Sequence, residues 1–390
     1  MKNKLKIGIF LDAFYPMVDG VILVVDNYAK ILSKSCDVTV VCPKSKKLKK
    51  EIDRPYNIVR CESIEISSMD YSIPLPIFDL EFLKIYTKFD FDIVHIHSPF
   101  TIGNIGVEYA KRKKIPAVGT FHSQYRQDFY KKTKSKLLSE VLLNRAMAVF
   151  NKTNLCYSVN EKIKEVYYDY GAGIETRVRY NGTDLVPFTD EDKLVKLKDK
   201  YSVKDQKVFL FVGRINEIKN IFFIIDVMKI LKDQKFKYKM LFIGSGEDEE
   251  RLRAAIKELD LLENVIMVGR IMDREELASY YALADLFVFP SLYDSSSLVQ
   301  IEAASQKTPA LFIKGAVTAD TIIPDINGYV SEDDIYKYSD KIVQIFSDES
   351  KYEFVCNNAF RDLYRTWDEV VEKTYNDYLE LIKNYHLYIE

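Results

Sequence analysis

The feature that most constrains this chain is a twice-repeated series of short β-rich apolar runs, each followed by an amphipathic segment of helix length. The first series is IGIFLD from Ile7, DVTVVC from Asp37, IVHIH from Ile93, AVGTF from Ala117 and LCYSV from Leu155. The second is VFLFVG from Val208, KMLFIG from Lys239, NVIMVG from Asn264, LFVFP from Leu286 and PALFI from Pro309. Runs this continuously apolar belong to strands covered on both faces, as in a parallel sheet flanked by helices. Two series predict an α/β chain of two Rossmann-like, doubly wound domains facing across a cleft. A length of 390 residues also favours two domains over one. Between the series, RYNGTDLVPFTDED joins an Asn181-Gly182 turn signal to Pro187, so the hinge is expected near 182–190. The expected domains are 1–185 and 186–364. A terminal helix over 365–390 follows, with Trp367, Val370, Val371, Tyr375, Tyr378, Leu379 and Ile382 on one stripe.

Composition narrows the class. Apolar residues make up 47% and charged residues 29%, a globular profile, and no window reaches the roughly 18 apolar residues of a membrane span. The opening MKNKLKIGIFLDAFY reads as a buried strand, not a signal peptide, so a cytoplasmic location is expected. The five cysteines (Cys36, Cys42, Cys61, Cys156, Cys356) are scattered without metal or disulfide spacing. Net charge is uneven, about +9 over residues 1–180 and about −11 over the rest. That contrast suits a basic half facing an anionic surface, and equally two domains that attract each other.

Four places carry residues suited to chemistry. In FLDAFYPMVDGVILVV, Gly20 stands where a loop enters a helix, and the helix N-terminus would favour a phosphate; an ordinary strand-to-helix turn would look the same. Three of the four histidines, His95, His97 and His122, fall at or just after strand ends. His95 reads as a core residue and His97 is undecided, whereas His122 is the candidate to contact a substrate hydroxyl. Their spacing does not resemble a zinc site. In FVGRINEIKNI, Arg214 and Lys219 place two cations past a strand end, which suits a diphosphate. The nearby LFIGSGEDEERL is too acidic to hold phosphate and is read as structural.

The fourth place is FVFPSLYDSSSLVQIEAASQKTP. With a helix from Leu298 to Ser305, Asp294 lies at its mouth and Glu302 inside it, roughly 12 Å along the axis. Glycosidase carboxylate pairs stand about 5 to 9.5 Å apart, so this pair is poorly placed to flank one scissile bond. It could hold both ends of an elongated ligand, with Ser295, Ser296 and Ser297 and helix-terminal N–H groups between for a diphosphate. An N-cap explains Asp294 and the serines nearly as well, but not Glu302 among apolar neighbours.

Taken together, the Gly20 loop, TFHSQY around His122, the YNGTD hinge, GRINEIKN and the acidic pair resemble the family-4 retaining glycosyltransferases of the GT-B fold, over nearly the whole chain. The resemblance implies that Arg214 and Lys219 hold a donor diphosphate, Glu302 the ribose and Asp294 the transferred sugar. It places His122 beside that sugar and the Gly269-Arg270-Ile271 turn against the base, with the Gly20 loop and Leu298 in the donor site. It implies a metal-independent, cofactor-free hexosyltransferase whose N-terminal domain takes the acceptor, whose C-terminal domain takes the sugar nucleotide, and whose terminal helix packs back on the N-terminal domain. Asp90-Phe91-Asp92 is then a solvated pair and not a metal motif. Two departures stand out, since the family's first acid is usually Glu and the following loop usually carries Gly in place of Ser296-Ser297.

The segment SPFTIGNIGVEYAKRKKIPAVGTFHSQYRQDFY is especially similar to bacterial diacylglycerol glucosyltransferases. The expected donor is UDP-glucose or another UDP-hexose, and the expected acceptor a membrane lipid or lipid-linked glycan. A cytosolic polysaccharide or protein-glycan acceptor, or a non-catalytic partner of the same fold, are the alternatives. Lys131, Lys132, Lys134 and Lys136 beside Leu137, Leu138, Val141, Leu142 and Met147 could bind an anionic inner leaflet, making the protein peripheral on the membrane. The apolar stripe is expected to pack on the N-terminal sheet instead. No nucleic-acid partner is expected.

Overall fold

The computed structural model describes residues 4–17, 19–48, 50–51, 53–65, 72–296 and 298–385. It divides into two units, Met1–Asn181 with Trp367–Glu390, and Gly182–Thr366; the sequence put the breaks after residues 185 and 364.

In chain order the first unit's strands are β1 (Lys6–Phe10), β2 (Asp37–Pro43), β3 (Asn57–Cys61), the antiparallel pair β4 (Ser63–Glu65) and β5 (Ser72–Pro74), β6 (Ile93–Ile96), β7 (Ala117–Phe121), β8 (Leu155–Ser158) and β9 (Thr176–Val178). Its helices are α1 (Gly20–Leu32), α2 (Leu80–Thr87), α3 (Thr101–Lys113), α4 (Tyr125–Thr133), α5 (Lys136–Phe150) and α6 (Glu161–Asp169). Seven strands form one parallel sheet in the order β3-β2-β1-β6-β7-β8-β9. Strands β3 and β9 were not expected from the sequence. They are the sheet's edges, where Arg60 and Arg177 can reach out from the ladder, so their runs are short and charged.

The second unit contains α7 (Glu191–Tyr201), β10 (Lys207–Val212), α8 (Ile221–Asp233), β11 (Tyr238–Ile243), α9 (Glu249–Glu258), β12 (Val265–Gly269), α10 (Arg274–Leu283), β13 (Leu286–Val288), α11 (Leu298–Ser305), β14 (Ala310–Ile313), β15 (Tyr329–Ser331), α12 (Ile335–Ile345) and α13 (Glu349–Leu363). Its parallel sheet runs β12-β11-β10-β13-β14-β15. Aromatic rings fill its core, Phe211 stacking on Phe289 at 5.7 Å and Phe209 on Tyr238 at 5.7 Å. Buried tyrosines keep their hydroxyls bonded, as Tyr338 does to the Leu311 carbonyl at 2.8 Å. The chain enters and leaves this unit side by side, with Thr183 N–H donating to the Arg365 carbonyl at 3.0 Å.

The last helix, α14 (Trp367–Tyr385), belongs to the first unit. It buries Trp367, Val370, Val371, Thr374 and Tyr378, while Leu379, expected on the stripe, is exposed. At 100° per residue Leu379 turns away from the line that Tyr378 continues, and Thr374 takes the place the apolar pattern missed. Lys34 pairs with Asp368 at 2.6 Å, Arg177 with Asp377 at 2.8 Å, and Tyr28 shares a proton with Thr374 at 3.2 Å.

Candidate functional site

Each parallel sheet reverses its strand order once, between β1 and β6 and between β10 and β13. Loops leaving the carboxyl ends of such strand pairs form the crevice where doubly wound sheets take ligands. In the second unit these loops are 213–220 and 289–297, and they contain Arg214, Lys219 and Asp294.

Lys219 and Asp294, one from each loop, form an ion pair with about a fifth of each side chain exposed (21% and 19%). The Lys219 ammonium also lies 5.8 Å from the Phe289 ring centroid. Asn220, left-handed at φ 58, donates from Nδ2 to the Pro290 carbonyl at 3.3 Å and ties the two loops together. Asp294 Oδ2, Asn216 Oδ1 and Ser291 Oγ are sealed from solvent without hydrogen-bond partners among the described residues. Leaving such a group unpaired costs about 1–3 kcal/mol. Arg214 is exposed and makes no ion pair or hydrogen bond with its side chain among the described residues.

The acidic loop after β11 serves as the bed for this site. Gly213 N–H donates to the Ile243 carbonyl at 3.0 Å, Ile215 N–H to Ser245 at 3.1 Å, and Asp248 N–H back to Ile215 at 3.2 Å. The backbones approach so closely that a Cβ on Gly244, at φ +141, would stand 1.8 Å from the Gly213 oxygen. Asp248 accepts the Glu217 N–H at 2.7 Å, and that bond, with Arg251, holds its carboxyl below the usual range. At the end of β12, Gly269 has φ +91, Arg270 is exposed and Ile271 packs on the core.

Glu302 sits inside α11 and is 8% exposed. Its Oε1 accepts from Arg274 at 2.6 Å and its Oε2 from the Tyr281 hydroxyl at 2.8 Å. Arg274 in turn binds Asp184 of the YNGTD segment through Nη2 at 2.5 Å. These contacts account for a carboxylate among apolar neighbours, and each oxygen keeps a second lone pair. Arg274, Tyr281 and Asp184 were missed because their pairing spans elements that no local pattern joins. Leu298 opens α11, Ser295 and Ser296 precede it half-buried, and Ser297 lies outside the described residues.

In the first unit Asp19 caps α1, accepting Ile22 N–H at 2.8 Å, and Gly20 is the first helical residue. A Cβ there would meet nothing within 4 Å, so packing does not demand the glycine. The loop ahead of it is anchored on buried Asp26, which accepts from Tyr56 at 2.6 Å and Tyr15 at 2.8 Å. Burial alone would raise the Asp26 carboxyl; hydrogen bonds from Tyr56, Lys30 and Tyr15 outweigh it and hold it low. At the β1/β6 reversal Asp12 accepts from the Ser98 hydroxyl at 2.6 Å and Ile102 N–H at 2.7 Å, and burial raises its carboxyl.

The three histidines form a column. His95, fully buried, shares protons with Tyr378 at 2.5 Å and Thr120 at 2.7 Å, a core residue with both nitrogens engaged. His97 lies with its ring centroid 4.0 Å from that of His95, and its Nδ1 is 3.0 Å from Nε2 of His122. His122 is 9% exposed, and burial pushes it down to about 3, so it is neutral near pH 7.

Two further readings change. Asp90 pairs with the Lys6 ammonium at 2.6 Å and Asp92 accepts the Lys6 N–H at 2.7 Å, so this pair fastens the start of β1 and is not simply solvated. The stripe on α5 does not all pack on the sheet. Leu137 (79% exposed), Leu138 and Val141 face outward, while Leu143, Ala146, Met147 and Phe150 form the buried face. Lys131, Lys132, Lys134 and Lys136 are exposed around the turn between α4 and α5. Among the described residues no group of three or more His, Cys, Asp or Glu is arranged to hold a metal, and no helix is long and apolar enough to cross a membrane.

Comparison with known proteins aligns with this geometry. Residues 18–186 match the family described as Glycosyltransferase Family 4, and residues 194–362 match Glycosyl transferases group 1. The chain is 25% identical over 316 residues to alpha-monoglucosyldiacylglycerol synthase of Streptococcus pneumoniae, covering 79% of this chain and 70% of that one. It is 27% identical over 322 residues to the protein of the same name from Acholeplasma laidlawii, covering 79% and 80%. Its fold superposes on Anabaena Alr3699/HepE, solved in complex with UDP, with TM-score 0.78 at 17% identity over 97% of this chain and 100% of that chain.

Proposed function

We propose, because this chain belongs to the family-4 glycosyltransferases of the GT-B fold and is a hexosyltransferase, that it transfers a hexose, glucose first, from a UDP-sugar to a membrane lipid or lipid-linked glycan with retention of configuration. The observation that carries the donor half is the β10/β13 crevice, with its partly exposed Lys219–Asp294 pair and the exposed Arg214 beside it. The acceptor half is supported by the two diacylglycerol-glucosylating relatives.

In this reading Arg214, free of partners among the described residues, and Lys219 take the diphosphate, Arg by its planar fork and Lys as a point charge. As the sugar leaves, negative charge grows on the β-phosphate, and the two cations with the amide groups around Leu298 stabilise it in place of a metal or cofactor. Asp294 accepts from the sugar hydroxyls, Glu302 offers its remaining lone pairs to the ribose, and Gly269-Arg270-Ile271 lines the base. The same reading assigns His122 to contact with the sugar and Gly20 to the donor. The protein then works on the cytoplasmic side as a peripheral membrane enzyme. Supporting this are the exposed lysines around α4 and α5 beside Leu137 and Leu138, and a second apolar surface with Phe78 74% exposed beside Ile77 and Leu80.

The test is incubation with a panel of sugar nucleotides, with and without diacylglycerol in anionic liposomes. UDP-glucose consumption that rises with the lipid, giving an α-linked product, is the expected result. Turnover only with a soluble glycan would move the acceptor to the cytosol, and neither binding nor hydrolysis of any sugar nucleotide would overturn the donor assignment. Liposome cosedimentation that is strong at low salt and weak at high salt is expected from a lysine-driven contact.

A further inference from the structure

We infer that His97 is a positioning residue that fixes the proton of His122 on Nδ1, so that His122 presents a neutral N–H donor to an oxygen of the bound ligand. The geometry admits one proton between the two rings, since His97 Nδ1 and His122 Nε2 stand 3.0 Å apart. Both imidazoles are neutral near pH 7, His97 through burial and then its histidine neighbours, His122 through burial. Two arrangements remain. If His122 donates from Nε2, His97 must carry its own proton on Nε2, and that nitrogen is sealed from solvent without a partner among the described residues. If His97 donates from Nδ1, the sealed Nε2 is a bare lone pair, and His122 must hold its proton on Nδ1.

The second arrangement is favoured because a genuinely orphaned buried N–H is rarer in folded proteins than a buried acceptor short of a donor. The Tyr28 ring, with its centroid 5.8 Å from that of His97, offers at most a weak N–H···π contact to rescue the first. Nor can the His97 ring turn freely to trade nitrogens. It lies between His95, tilted against it at 4.0 Å, and His122, stacked at 5.2 Å, with Tyr28 edge-on. His95 is itself fixed by Thr120 and by Tyr378 of α14, and Tyr28 by Thr374 of the same helix. The last helix therefore sets, through two histidines, which atom His122 shows to the ligand. That His122 meets a ligand, and which ligand, rests on the glycosyltransfer reading; the tautomer rests on the rings alone.

Because the sequence has only four histidines, the tautomers can be read directly from two-bond 1H–15N correlation spectra of the full chain labelled with 15N-histidine at pH 7. His122 is expected protonated on Nδ1 with an unprotonated Nε2. In His97→Leu the spectrum should shift to a mixture of tautomers, and kcat for UDP-glucose consumption should fall at least about tenfold with KM changed less than about threefold. His97→Asn, whose amide nitrogen stands near the place of Nδ1, should restore the Nδ1–H form and most of the lost kcat. Wild-type His122 protonated on Nε2, or a His97→Leu spectrum unchanged from wild type, overturns the inference without any variant having to be active. A chain that consumes no sugar nucleotide overturns the proposed function instead and leaves the spectrum to decide this point.

Discussion

Lys219 and Asp294 meet as an ion pair across the point where the second sheet reverses its strand order, and the second carboxylate oxygen of Asp294 has no partner among the described residues. The pair leaves one side of the acid unmet and holds the cation where a phosphate would compete for it.

Removing one partner should therefore cost more than removing both. Lys219→Ala strands a largely buried carboxylate and is expected to lower stability by about 1–3 kcal/mol. Adding Asp294→Ala should return part of that loss, a coupling that a double-mutant cycle in urea measures. Purely additive effects would mean that the pair contributes nothing as a unit.

Arg214 makes the opposite prediction, because no described residue holds its side chain. Arg214→Ala should leave the unfolding midpoint within about 0.5 kcal/mol of wild type. UDP affinity by calorimetry should nevertheless fall about tenfold, with Arg214→Lys in between because the planar fork is lost but the charge is kept. Unchanged UDP affinity would remove Arg214 from the diphosphate site.

The two positive-φ glycines of the site separate conformational strain from steric conflict. Gly269→Ala meets no atom within 4 Å and should cost about 1–2 kcal/mol for the backbone alone. Gly244→Ala places a methyl 1.8 Å from the Gly213 oxygen and must move the loop carrying Arg214 and Lys219. It should cost more than about 2 kcal/mol and weaken UDP binding, whereas Gly269→Ala should affect binding less. Equal losses in both would show that the close approach is not what positions the loop.

The histidine column predicts acid sensitivity. His122 is depressed from 6.5 to about 3 by burial, and His95 and His97 are well below 6.5 for the same reason. Above 6.5 neither folded nor unfolded chain protonates them, so their neutral burial carries no penalty. As pH falls below 6.5 the unfolded chain takes up protons that the folded chain refuses, and stability declines until the folded value is reached. For His122 alone the loss between pH 7 and pH 5 is about 2 kcal/mol. Urea midpoints should drop over that range, and His122→Asn should flatten the slope; identical slopes would show that His122 is not neutral when folded.

Legibility followed local pattern. The strands read from IGIFLD or VFLFVG stand where their apolar runs announced them, because burial on both faces leaves no room for polar residues. Edge strands β3 and β9 were invisible because Arg60 and Arg177 break the run, and an edge tolerates that break. Arg214, Lys219 and Asp294 could be named because strand-end loops advertise charged residues beside apolar ones. The partners of Glu302 could not, since Arg274 and Tyr281 lie 28 and 21 residues away with an intervening strand between. Nor could the exposed face of Leu137 and Leu138, as a helical stripe does not say which of its residues the sheet will cover.

The placement of α14 in the first unit has a consequence for how the protein comes into being on the ribosome. His95 and the tyrosine that bonds it are 283 residues apart, with the whole second unit synthesised between them. At about 5–20 residues per second, Tyr378 follows His95 by roughly 15 to 60 seconds. The unit that is translated first is thus completed last. Until then Val371, Thr374 and Tyr378 have not arrived to cover Tyr28 and the histidine column, and that surface is what a nascent-chain chaperone would meet.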